Sequence, residues 1–287
     1  MPLIVIHAIA SAAYAALAWH LWRSRWRGGG AAPRPELTAG ERLAILAPLA
    51  LHAWLLAQGI FGAPALRFGF AFALSAMLWL AVLIYWVESL FFSLAGMQPL
   101  VLGAAAVAAL LPAWFPGRLL DAAASGDFKI HLALAIVAYS VFTLALLHAV
   151  LMALAERLLH RKGGGKSAAG EAPRGDPLHG PTASLPPLLT IERMFFRLVG
   201  VAFVLLTLTL ASGMTLSESM FGRAMRFNHE TVFAVMAWLT FAVLLWGRLA
   251  RGWRGRTALR WTVAGFVMVL LANIGTAFVL EVLLRRG

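Results

Sequence analysis

In 287 residues the chain carries 61% hydrophobic and 13% charged side chains, with a net charge of +12. A water-soluble globular chain carries roughly 25% charged residues, so this composition suits a lipid bilayer as solvent and excludes an ordinary soluble domain. The absence of cysteine excludes disulfides, Cys-ligated zinc, iron–sulfur clusters, thiol relays and Cys-attached haem on this chain.

Eight stretches reach the roughly 20 mostly apolar residues that a membrane helix needs. They are residues 3–22, 42–61, 68–92, 97–115, 130–156, 192–216, 229–249 and 258–284. The expected fold is therefore all-α: about eight transmembrane helices in one membrane domain spanning 1–287. The first stretch is apolar from Met1 to Trp22, and its basic cluster (Arg23, Arg25, Arg27) follows it instead of preceding it, which reads as a retained helix and not as a cleaved signal. The third runs into Glu88, which needs a polar partner or an interfacial position. The fourth is Ala-rich and holds Pro112. Residues 28–35 and 163–187, rich in Gly, Ala and Pro, read as flexible loops with little to bury.

The loops after the first, third, fifth and seventh stretches carry 17 of the 24 Lys and Arg residues, leaving 7 on the opposite side. Positive charge collects on the cytoplasmic side, so both termini are expected to face away from the cytoplasm. The net charge of +12 is then explained by basic loops against an anionic leaflet, with membrane lipid as the partner and no nucleic acid.

Ionisable side chains inside membrane spans are costly and call for a role. His52 lies ten residues inward from Arg42, about 15 Å from the basic edge, and His148 lies nine residues from Arg157, about 14 Å from the same edge. His131 and His229 open two helices at the opposite boundary. Two histidine pairs at two depths match what two bis-His haem sites require, because iron takes one axial ligand from each face of the macrocycle. The residues alone leave a second reading open, in which each imidazole simply hydrogen-bonds a neighbouring helix. His7 lies near the outer end of the first helix, and His20 reads as interfacial. No Ser-His-Asp set, HExxH motif or nucleotide loop is present, so no catalytic activity is expected.

The run Pro186-Pro-Leu-Leu-Thr-Ile-Glu-Arg193 is followed by Val204-Leu-Leu-Thr-Leu-Thr-Leu-Ala-Ser-Gly213 and Asn228-His-Glu-Thr-Val-Phe-Ala-Val-Met-Ala-Trp238. After these come Leu245-Trp-Gly-Arg248 and Gly252-Trp-Arg-Gly-Arg256. This combination resembles the cytochrome c assembly family of membrane proteins, the CcsA/HemX-like group, and most of all its YpjD-type branch. The resemblance covers about 190–280 and extends loosely to His52 and to 130–139. It implies a multi-pass protein of the bacterial inner membrane that handles haem together with cytochrome c maturation proteins, without being an enzyme. Full members use a Trp-rich outer loop ending in W-x-W-D; here Ser217 to Asn228 fills that region without a tryptophan. His131 matches the first flanking histidine of the family. If haem binds, the resemblance and the depths together name, in order, His131, His52, His229 and His148 as iron ligands. Arg223 and Arg226 are then the expected partners of the haem propionates. Two other readings stay open: a HemX-like regulator or scaffold that binds no haem, and a small-solute transporter using the membrane histidines.

Overall fold

The computed structural model describes residues 3–25, 37–62, 66–92, 97–120, 126–164, 188–221, 229–279 and 282. Its elements in chain order are α1 (Leu3–Arg25), α2 (Ala39–Phe61), β1 (Leu66–Phe68), α3 (Phe70–Glu88), α4 (Gln98–Trp114), β2 (Arg118–Leu120), α5 (Gly126–Gly164), α6 (Leu188–Phe221), α7 (His229–Arg251) and α8 (Gly255–Leu270). A π-helical turn, Leu271–Gly275, and a short α9 (Thr276–Phe278) continue α8. The all-α membrane fold is thus observed. Six of the described helices, α1, α2, α3, α5, α6 and α7, are long and apolar enough to span a bilayer. α4 has 17 residues. The expected last helix, 258–284, begins three residues earlier and gives way to the π-turn after 16 residues of α-helix. The expected fifth helix is longer at both ends than 130–156, reaching Gly164.

Local chemistry sets several of these ends. Thr38 caps α2: its hydroxyl accepts from the Glu41 N–H at 3.2 Å, and the Glu41 carboxylate accepts from the Thr38 N–H at 2.8 Å. This reciprocal box satisfies two backbone donors that a helix start otherwise leaves open. Pro99 opens α4, where the missing proline N–H has no helical partner to lose. β1 and β2 pair antiparallel, with Arg67 opposite Leu119. Gly117 makes the turn into β2 at φ +67, and a Cβ there would lie 2.8 Å from the Phe68 carbonyl oxygen, so only glycine fits.

Besides a small cluster of Leu56, Ile60, Leu66, Phe72 and Ala76, packing falls into two large connected clusters. One joins α1 to α4 around Tyr14, Leu21, Ile45, Leu55, Val82, Met97 and Leu102, and reaches Leu144 and Leu151 of α5. The other joins α5 to α8 around Phe142, Phe195, Leu206, Phe241 and Leu244, and reaches Met77 and Leu78 of α3. Phe142 and Phe241 stack with centroids 4.0 Å apart. α3 packs on α2, α4 and α5, and α5 packs on α3, α6 and α8, so these two helices couple the halves. Large apolar side chains such as Leu43, Val107, Val204 and Leu249 stay exposed on the outside. In a bilayer that surface faces hydrocarbon, where it is at home.

Four hydroxyls inside the spans are satisfied within their own helices. Ser140, Thr143, Thr209 and Thr262 each donate to the carbonyl four residues back, at 2.6 to 2.8 Å. This removes the penalty of an unpartnered polar group in hydrocarbon. The two tryptophans of α3 bind α2 instead: Trp79 donates to the Leu49 carbonyl at 2.9 Å and Trp86 to the Arg42 carbonyl at 3.0 Å. Seven residues separate the donors and seven the acceptors, which locks the antiparallel register of the two helices.

Candidate functional site

His148 lies in the middle of α5 and is fully buried. Its Nδ1 sits 2.9 Å from the Leu144 carbonyl oxygen, one turn back. A carbonyl only accepts, so Nδ1 carries the proton and Nε2 keeps its lone pair. That Nε2 is buried and has no hydrogen-bond partner among the described residues. An imidazole with one nitrogen pinned to a carbonyl and the other left open is the form in which histidine binds a metal.

His131 reaches a similar state by another route. The Ser212 hydroxyl of α6 donates its single proton to the Thr209 carbonyl at 3.0 Å. It can then only accept from His131 Nδ1, 2.9 Å away, which leaves the lone pair on Nε2. Gly213 permits this contact, because a Cβ there would come within 3.2 Å of His131 Cε1. Ser212 and Gly213 therefore mark the place where α6 meets the His131 ring. His131 and His148 stand about 26 Å apart along α5, given 17 residues at 1.5 Å each.

His52 is also fully buried, but it belongs to the first cluster. Its Nε2 lies 2.8 Å from the Ser75 hydroxyl of α3, and its ring meets Tyr14 of α1 edge-on at 5.7 Å. Nδ1 of His52 and the Tyr14 hydroxyl are both buried without a partner among the described residues. His7 stands two turns before Tyr14 on α1 and is also buried. Its Nδ1 donates to the Ala109 carbonyl of α4 at 2.7 Å. The contacts of His52 and His148 are made to different neighbours. His52 engages α1 and α3, whereas His148 engages its own helix. Tyr14 and Ser75 as neighbours of His52, and the His7 contact to Ala109, are what the sequence reading missed. The seven-residue spacing of His7 and Tyr14 on one helical face was the available signal.

His229 is the first residue of α7 and is exposed. α6 packs against both α5 and α7, the helices that carry His131 and His229. Arg223 and Arg226, with Asn228 and the rest of 222–228, lie outside the described residues. Glu88 closes α3 with one carboxyl oxygen buried and unpartnered among the described residues.

Two carboxylates, Glu41 and Glu192, hold the basic edge through three arginine pairs. Arg25, at 2% exposure, meets the Glu41 carboxylate through both terminal nitrogens, at 3.1 and 2.7 Å, and so ties α1 to the cap of α2. Glu192 of α6 meets Arg248 of α7 at 2.6 Å and Arg254, just before α8, at 3.2 Å. The shorter of these lacks the alignment of a hydrogen bond, so Glu192 Oε1 is held by charge contact alone. Arg248 also lies 4.6 Å over the Phe196 ring. The described motif residues of 188–193, 245–248 and 252–256 thus meet at one corner. Gly247 leaves room there for the Trp253 ring, and Trp253 stacks on Trp261 at 5.4 Å.

Among the described residues no three His, Cys, Asp or Glu side chains stand close enough to hold a bare metal ion. Haem asks less of a protein, since the macrocycle supplies its own nitrogens and needs one or two axial ligands. The open Nε2 atoms of His148 and His131 fit that requirement.

A family model described as "Cytochrome C assembly protein" matches residues 43–284. The inner membrane protein YpjD of Escherichia coli (strain K12) is 31% identical over 160 residues, 56% of this chain and 54% of that one. An uncharacterized 28.8 kDa protein of Azospirillum brasilense is 31% identical over 155 residues, 54% of this chain and 52% of its own length. The cytochrome c biogenesis protein CcsA of Trichormus variabilis is 30% identical over 100 residues, 33% of this chain and 28% of that one. The chain spans about half the length of the first two relatives. No solved structure matches it significantly. With a family model covering all but the first 42 and last three residues, the chain belongs to the cytochrome c assembly family of membrane proteins.

Proposed function

We propose that this protein handles haem in cytochrome c assembly, binding it as cargo and catalysing no reaction itself. The observation that carries the reading is His148 Nε2, a fully buried lone pair with no partner among the described residues. In a membrane interior such an atom is expensive unless a ligand takes it. Family membership and the similarity to CcsA proteins support the same reading. In this account His131 with His229 serves haem at one membrane face, and His148 with His52 serves it at depth. Arg223 and Arg226 take the propionates. The protein resides in the bacterial inner membrane as one domain, with its basic face toward the cytoplasm and both termini outside. Cytochrome c maturation proteins are its partners.

One observation favours a second reading. The segment 217–228 lacks tryptophan, so a Trp-rich platform for presenting haem to an apocytochrome is missing. That suits a HemX-like regulator or scaffold that binds no haem. Purifying the full chain from haem-producing cells and recording its absorption spectrum separates the two. A Soret band stoichiometric with protein supports haem handling; its absence after haem supplementation supports the regulator. Solute flux in vesicles containing the pure protein, without a Soret band, would support a small-solute transporter instead.

A further inference from the structure

The corner built around Glu192 holds more positive charge than its ion pairs use. Seven arginines gather there: Arg193 and Arg197 on α6, Arg248 and Arg251 on α7, Arg254 in the short link, and Arg256 and Arg260 on α8. Glu192 engages Arg248 and Arg254. Arg251 lies 4.9 Å over the Trp246 ring. Arg193, Arg197, Arg256 and Arg260 are exposed and make no ion pair among the described residues.

The placement of those four identifies what they face. On α6, residues 193, 197, 201, 204 and 208 follow one another at three- or four-residue steps, so they share one stripe of the helix. All five are exposed: two arginines, then Val201, Val204 and Leu208. Along α8 the same order recurs, with Arg256 and Arg260 followed by Val263, Val267 and, where the π-turn begins, Leu271, all exposed. Each stripe passes from two guanidiniums one turn apart to bare hydrocarbon within about 6 Å. A soluble anion needs only the first part and an acidic protein partner does not need the second. A phospholipid needs both in that order, with phosphate at the edge and acyl chain beneath. The stacked Trp253 and Trp261 and the exposed Trp246 stand at the same level, where indoles anchor at the membrane interface.

We propose that these two stripes seat acidic phospholipids, the phosphates on Arg193/Arg197 and Arg256/Arg260 and an acyl chain along the apolar side chains that follow. Guanidinium pairs bind phosphate in bidentate fashion, and anionic headgroups add attraction to a basic edge. The site is independent of any haem ligand. It would fix the depth of α6 and α8 and brace the Glu192 corner.

The test places the full chain in nanodiscs of phosphatidylcholine, with and without phosphatidylglycerol, and reads the thermal midpoint. Phosphatidylglycerol should raise the midpoint of the parent. Arg193→Gln/Arg197→Gln and Arg256→Gln/Arg260→Gln should each lose a large part of that increment, measured against their own phosphatidylcholine baselines. Arg67→Gln/Arg118→Gln, which neutralises the two arginines of the strand pair, should keep it. The proposal is overturned if phosphatidylglycerol gives no increment, or if the strand-pair variant loses as much as the others. It is equally overturned if soluble glycerol phosphate in phosphatidylcholine discs reproduces the shift, since the site would then take a free anion.

Discussion

An imidazole that gives its Nδ1 proton to a carbonyl of its own helix, as His148 gives its proton to Leu144, keeps an open lone pair at the cost of one unsatisfied polar atom. The two properties can be separated by mutation. His148→Leu fills the site with an apolar side chain of similar bulk, so folding stability should hold or rise by about 1 kcal/mol. Haem content should fall at the same time. A histidine kept for structure alone would give the opposite: lost stability with haem unchanged. Thermal midpoint and Soret absorbance on one preparation read both. At the other end of the scale of need, Arg25 is buried and depends on Glu41. Glu41→Gln removes the charge that pairs with a guanidinium at 2% exposure and weakens the Thr38 cap. The expected loss is about 2–3 kcal/mol, below the full figure for a buried pair because Glu41 is partly exposed. It should appear as a lowered midpoint in detergent.

At the scale of elements, glycines decide how closely helices approach. A Cβ on Gly247 would run into the Trp253 ring, and one on Gly265 would lie 2.7 Å from the Phe241 ring. Gly265→Ala should cost about 1–3 kcal/mol through overpacking against the Phe142–Phe241 stack, whereas Gly103→Ala, with nothing within 4 Å, should be close to neutral. Paired unfolding measurements would show the difference. The existence of the spans was legible because a 20-residue apolar run has few alternatives. Their ends were less so: α5 continues past the basic residues at 157–162, since helix propensity does not stop where the hydrocarbon does. The β1–β2 pair was not legible at all, because three-residue strands give no alternation to detect and their pairing joins segments some 50 residues apart.

At the scale of the molecule, distance along a helix is legible in sequence and adjacency between helices is not. The count of residues from the basic edge set His52 and His148 at one level. Rotation about each helix axis then decided that His52 turns to Ser75 and Tyr14. His131 was legible through its resemblance to a family histidine, but its hydroxyl partner on α6 was not, since that contact spans 81 residues. The proposed orientation follows from the arginine distribution and predicts a cytoplasmic signal from a reporter fused at Gly165 and an extracytoplasmic one at the C-terminus. The reverse pair of signals would overturn it.

Haem stoichiometry across the histidine variants bears most directly on the account. The full chain would be purified from haem-replete cells as the parent and as His148→Ala, His131→Ala, His52→Ala, His229→Ala and His7→Ala, each checked for membrane insertion, and the Soret absorbance per chain compared. The account predicts haem in the parent and at least a two-fold loss in His148→Ala and His131→Ala, where an open Nε2 is removed. A haem-loaded parent with unchanged Soret intensity in both of these variants would contradict it.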